Sequence, residues 1–217
     1  MSIKQKLGVF LYERIMKGPE KAGLQHWRRE LLEEARGDVL EIGIGTGANL
    51  EHYPKQVDKL IAVEPNPEMI RNIDLDAFGG SGPVEVVQGF AGDLPLDDES
   101  VDTVVITLVL CSIPDVARAL AEIRRVLRPG GRFLFLEHVA SCEEKVQKWQ
   151  DRLDPLWNYL TGDCHMNRHT EEAIEEAGFE ITDCIREPMP KTPLLLRPSI
   201  RGVAVPYEED RRPPGRQ

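Results

Sequence analysis

No apolar run in this chain approaches the roughly 18–20 residues that a membrane-spanning helix needs. The longest, Val104 to Leu110, still contains Thr107. The first eighteen residues carry charges at 4, 6, 13, 14 and 17 and no small-residue cleavage site, so they do not read as a secretory leader. Cysteine is scarce, with four in 217 residues, at 111, 142, 164 and 184. Without a Cys-x-x-Cys pair, neither a disulfide framework nor a metal site is expected, and the thiols should be reduced and unpaired. Basic residues are outnumbered, 27 against 37 acids, for a formal charge of −10. That balance argues against nucleic acid or anionic lipid as a partner, and no aromatic–basic stretch offers a groove for stacked bases. These absences leave a cytoplasmic protein of about one domain, without a stable membrane anchor. Oligomeric state is not legible at this level.

What is present suffices for a packed core: 41% of residues are hydrophobic and 29% charged. Two helical segments open the chain. Ile3, Leu7, Phe10, Leu11 and Ile15 recur at helical spacing, Gly18-Pro19 is expected to interrupt them, and Leu24, Trp27, Leu31 and Leu32 form a second stripe. Residues 1–36 thus read as a helical flap on the domain, since a membrane-surface helix needs basic charge as well as an apolar face.

From residue 38 short apolar runs alternate with helical stretches. The runs are 38–43, 59–64, 84–88, 102–110, 131–139, 179–187 and 200–205. The clearest helix is Asp115 to Leu127, started by Pro114-Asp115 and ended by Pro129-Gly130-Gly131. β-Branched runs alternating with helices predict an α/β fold, a mostly parallel Rossmann-like sheet of about seven strands with helices on both faces, over residues 37–206. Within it, 143–170 is an insertion predicted as a helix pair broken at Pro155; its tryptophans suit either a lid or plain packing. The tail 207–217, rich in proline and charge, reads as loose.

The informative segment is Val39 to Leu50, VLEIGIGTGANL. It follows a strand and is expected to open a helix, where glycines let the backbone approach a ligand and free N–H groups meet it. Glu64 ends the second strand, 21 residues after Gly43, where a carboxylate can accept bonds from both hydroxyls of a ribose. The loop also fits a looser dinucleotide pattern, but Glu41 beside it would repel a pyrophosphate and favour a ligand bearing an ammonium and a sulfonium.

VLEIGIGTGANL, the Glu of AVEPN, GFAGDLP and RVLRPGG, in that order, resemble the class I S-adenosylmethionine-dependent methyltransferases over roughly residues 36–140. The resemblance implies a seven-stranded sheet ending in an antiparallel hairpin, with S-adenosylmethionine as cofactor. It places the cofactor above Gly43, Gly45 and Gly47, with Glu41, Asn49, Pro65 and Thr107 beside it, Glu64 on the ribose, and Phe90 and Ala91 near the adenine. Many relatives carry an acid where this chain has Phe90, so adenine recognition falls to backbone N–H groups or to Asp93, which equally suits a turn.

A narrower resemblance, in LVLCSI, RRVLRPGGRFLFLEHV and Gln150-x4-Pro155-x-Trp157-x4-Gly162-Asp163-Cys164-x3-Arg168, is to the alkyl-thiol S-methyltransferases and their soluble microbial relatives. It implies a small-molecule acceptor, with a thiol as one candidate. Acceptor groups should come from the carboxyl ends of the fourth and fifth strands and their cover. His138 is the first candidate for base or orienting group, with Asp163 or His165 next; Cys111, Ser112, Trp157, Cys164 and Arg168 are candidates for the acceptor wall. No acid cluster suggests the metal clamp of catechol-type methylation. Phospholipid or other N- or C-methylation stays open as an alternative, as do a nicotinamide-dependent oxidoreductase and a non-catalytic S-adenosylmethionine-binding protein.

Overall fold

A computed structural model describes residues 16–161 and 163–207. The stripe at residues 3–15 and the tail beyond 207 lie outside the described residues. Residues 16–19 are helical, so Gly18-Pro19 does not interrupt the chain as expected. Pro19 takes φ −54°, a value its ring favours in a helix. The kink comes later, at Gly23 with φ 142°, inside the π-turn Glu20–Leu24 that leads into helix α1, Gln25–Leu32. Leu24, Trp27, Leu31 and Leu32 are buried and pack with Leu134, Leu136 and Val39.

Seven strands form one sheet: β1 Gly37–Ile42, β2 Val57–Glu64, β3 Val84–Gln88, β4 Val101–Thr107, β5 Leu127–His138, β6 Phe179–Pro188 and β7 Pro198–Pro206. Their order is β3-β2-β1-β4-β5-β7-β6. Strands β1 to β5 run parallel, and β7 pairs antiparallel with both β5 and β6. This is the seven-stranded sheet with a terminal hairpin that the sequence implied. Because strand side chains alternate, Leu40 and Ile42 face one core layer, while Val39 and Glu41 face the layer under α1.

Four further helices follow among the described residues: α2 Pro67–Ile70, α3 Val116–Val126, α4 Glu144–Thr161 and α5 Thr170–Glu176. Asp115 caps α3 by accepting from the Arg118 N–H. The helix stops at Val126, short of Pro129-Gly130, because Leu127 already pairs with Val101 in the sheet. Two further local expectations fail. The glycine loop leads only into a 3-10 turn, Leu50–His52, because Tyr53 is extended ahead of Pro54, a residue that disfavours helix before it.

The predicted helix pair is instead the single helix α4, with Pro155 inside it. Pro155 is exposed, so water can take the hydrogen bond its ring removes. Polar anchors hold the helix. Gln150, fully buried, faces the carbonyls of Val139, Met166 and Leu195 with Nε2, and accepts from the Ser141 N–H at 2.8 Å. Three apolar residues of the helix, Trp149, Leu156 and Leu160, are exposed. No helix among the described residues is long and apolar enough to cross a membrane.

Candidate functional site

The three loop glycines do different work. A Cβ on Gly43 would lie 2.4 Å from a Val109 methyl, and one on Gly47 2.8 Å from Leu50, so these two permit close packing of the protein on itself. At Gly45, φ +60°, the nearest atom to such a Cβ is 3.9 Å away. Its missing side chain therefore leaves a cradle open for a ligand. Glu64 stands beside it, with Oε2 accepting from the Gly45 N–H at 3.0 Å and Oε1 from the Asn66 N–H at 2.9 Å. A carboxylate has about four lone-pair sites, so each oxygen keeps one for a ligand hydroxyl. Burial pushes the Glu64 carboxyl above its usual range, and the two N–H bonds oppose that. Pro65 is exposed just beyond. Phe90 is 68% exposed after β3, and the Asp93 N–H closes a turn onto its carbonyl across Ala91.

Behind the loop lies a buried polar network. Glu41 does not edge the ligand space as expected: it is 2% exposed, accepting from Asn49 Nδ2 and Tyr53 Oη, each at 2.8 Å. Burial raises its carboxyl and, with Glu41 alongside, pushes the Tyr53 phenol well up. Asn49 also donates to Thr107 Oγ1 at 3.0 Å. Both are tied to a residue the sequence reading missed, Arg28, whose Nη1 donates to Asn49 Oδ1 and Thr107 Oγ1 at 2.8 Å. Its Nε and Nη2 reach Glu20 Oε1 at 3.1 and 3.0 Å. A signal was present: Arg28 lies on the same helical face as Leu24, Leu31 and Leu32, a place for an apolar residue.

On the other side of β4 the chain turns sharply, with Leu108 at φ 59°. Glu137, fully buried at the end of β5, accepts from the N–H groups of Val109 (2.8 Å), Leu110 (2.9 Å) and Cys111 (3.4 Å). It fixes the turn that carries Cys111 and Ser112. Glu137→Ala would orphan three donors at once. We expect it to destabilise the protein by about 2–4 kcal/mol, with Glu137→Gln costing less, as read by urea unfolding. A loss under about 0.5 kcal/mol would show that the turn holds itself.

His138 follows Glu137. Its Nε2 is 3.3 Å from Cys164 Sγ, and its Nδ1 is buried without a hydrogen-bond partner among the described residues. Cys164 Sγ lies 3.9 Å from Cys111 Sγ and accepts from Trp157 Nε1 at 3.4 Å. The four thiols are unpaired, but the fold has gathered two of them. Contact with Cys111 and burial push the Cys164 thiol far up. His165 is elsewhere engaged, with Nδ1 2.7 Å from Asp154 Oδ2 and Nε2 3.1 Å from Asn158. Asp163 is exposed, at φ 77°. Arg168 donates to the carbonyls of Cys111 and Ile113 at 3.1 and 2.6 Å, bracing the same turn as Glu137.

Comparison with known proteins agrees with this geometry. Residues 40–135 match a family model described as a methyltransferase domain. The chain is 38% identical to human thiol S-methyltransferase TMT1A over 178 residues, 77% of this chain and 70% of that protein. It is 34% identical to human TMT1B over 197 residues, covering 82% and 78% of the two chains. Among solved structures, an S-adenosylmethionine-dependent methyltransferase from Methanosarcina mazei superposes with a TM-score of 0.61 at 22% identity, over 81% of this chain and 94% of its own.

Proposed function

The chain belongs to the S-adenosylmethionine-dependent methyltransferases, and on that premise we propose that it methylates the sulfur of a small-molecule thiol. The observation that carries the choice of acceptor is the wall at the ends of β4 and β5. It presents two thiol sulfurs and an imidazole, while the two buried carboxylates beside it, Glu137 and Asp154, are consumed internally. Glu137 is held by three backbone N–H groups, and Asp154 by Met166 and His165. An amine acceptor, which arrives as its ammonium and reacts only as the free amine, would need a free carboxylate there to hold that charge; a thiol needs only shape, soft contacts and loss of its proton, since the thiolate is the nucleophile. The relatives named thiol S-methyltransferases support the same reading.

The residues fit the cofactor: Gly45 leaves the cradle, Glu64 has lone pairs for the ribose hydroxyls, and Phe90 with Ala91 borders the place of the adenine. Arg28, Asn49 and Thr107 back the loop and give it one shape. When bound, S-adenosylmethionine supplies a sulfonium-activated methyl group. The chain's own residues then align the acceptor with it and keep water out, with His138 as the orienting group on the acceptor side.

Turnover would be followed as S-adenosylhomocysteine released with a short alkyl thiol, the matching alcohol and amine, and phospholipid vesicles. The thiol is expected to be methylated and the others to stay at background. Methylation of the amine or the vesicles, with the thiol at background, would sink the thiol reading while leaving the family intact.

A further inference from the structure

We propose that Cys111, His138 and Cys164 are the three protein ligands of a Zn2+ site. Their ligand atoms all lie within 4.8 Å of one another. Tetrahedral zinc, with Zn–S near 2.3 Å and Zn–N near 2.0–2.1 Å, sets two sulfurs about 3.8 Å apart and a sulfur and a nitrogen about 3.5 Å apart. Here Cys111 Sγ and Cys164 Sγ are 3.9 Å apart, and Cys164 Sγ and His138 Nε2 are 3.3 Å apart. Small movements of side-chain torsions would close the geometry.

The ligands are also braced. Cys111 has its N–H on Glu137 and its carbonyl on Arg168 Nε. That same carbonyl accepts from the backbone N–H of His165 at 2.8 Å, so the turns carrying the two cysteines are joined directly. His138 is fixed by its pairing opposite Ser199 across β5 and β7. Three ligands from three separate elements explain why the sequence showed no metal motif: they stand 27 and 26 residues apart.

The chemistry favours zinc. Two thiolates and an imidazole are soft to borderline ligands. Zinc binding releases the two thiol protons to solvent, and the resulting site, two plus against two minus, is neutral overall, as a buried position requires. Three protein ligands leave one tetrahedral position open. That position takes the acceptor's sulfur as a thiolate, its proton passing to solvent on coordination. This last step rests on the thiol reading; the metal site does not.

The test uses the full chain, reduced, incubated with Zn2+ and freed of loosely held metal. Elemental analysis should find one Zn2+ per chain, and Co2+ in its place should give tetrahedral ligand-field absorption with a thiolate charge-transfer band. Cys164→Ser and His138→Gln should each weaken Zn2+ binding about tenfold or more, while Cys142→Ser and Cys184→Ser, at exposed thiols, should not. Circular dichroism checks that the variants fold. Background metal in the reduced wild type, or equal binding by the Cys164 and His138 variants, overturns the site. Full thiol turnover by metal-free protein overturns the role of the fourth position alone. Bound zinc with no thiol turnover keeps the site and sinks the acceptor reading.

Discussion

Arg28→Ala is expected to cost about 3–5 kcal/mol of folding stability, the scale for removing one partner from a buried charge network. Arg28 is 2% exposed, and three of its nitrogens are bonded, to Glu20, Asn49 and Thr107. Its loss leaves the largely buried Glu20 carboxylate without its cation, Asn49 Oδ1 without a donor, and Glu41 further from compensation. A lysine cannot repair this, because a single ammonium lacks the planar fork that spans Glu20 on one side and Asn49 with Thr107 on the other. Arg28→Lys should therefore recover only part of the loss. Denaturant midpoints measure both variants. A change below about 1 kcal/mol for Arg28→Ala would mean that water enters and replaces the guanidinium. The glycine loop should also loosen, because Asn49 at its end is aimed by Arg28.

Glu64→Ala is expected to weaken S-adenosylmethionine binding by about 1.5–3 kcal/mol, roughly tenfold to a hundredfold or more, the cost of losing a charged hydrogen-bond partner. Two effects combine. The ribose hydroxyls lose their acceptor, and the N–H groups of Gly45 and Asn66 lose the carboxylate that holds the loop against the end of β2. Glu64→Gln separates them, since its single carbonyl oxygen can still receive one N–H but cannot accept at both ends. Calorimetric titration with S-adenosylhomocysteine is the direct measurement. Unchanged affinity in a folded Glu64→Ala protein would remove Glu64 from the ribose.

Several elements were legible because their causes are local. The runs at 38–43, 59–64 and 84–88 are strands within a residue or two of their expected limits; in the first two, apolar residues buried in the sheet leave few other options, while the third is the half-exposed edge strand. Asp115 caps its helix through its own side chain. The failures were also local competitions. Gly18-Pro19 stayed helical and Gly23 took the kink, because proline fits helical φ while glycine is free at positive φ. Pro155 sits inside α4 because the buried Gln150 and Asp154 anchor the helix more firmly than one exposed proline disrupts it.

The sequence by itself determined the order of strands along the chain, the glycine loop and the acid at the end of the second strand, and the family resemblance those motifs carry implied the cofactor class. The elements themselves depend on backbone freedom or burial within a few residues. Only the tertiary structure decided that Arg28 reaches Asn49 and Thr107, that Glu41 is sealed behind the loop, and that Cys111, His138 and Cys164 meet. Those residues are brought together by the crossing of α1 over the sheet and by the turns after β4 and α4. Spacing along the chain carries no record of such meetings, because they are set by the packing of whole elements rather than by any local preference.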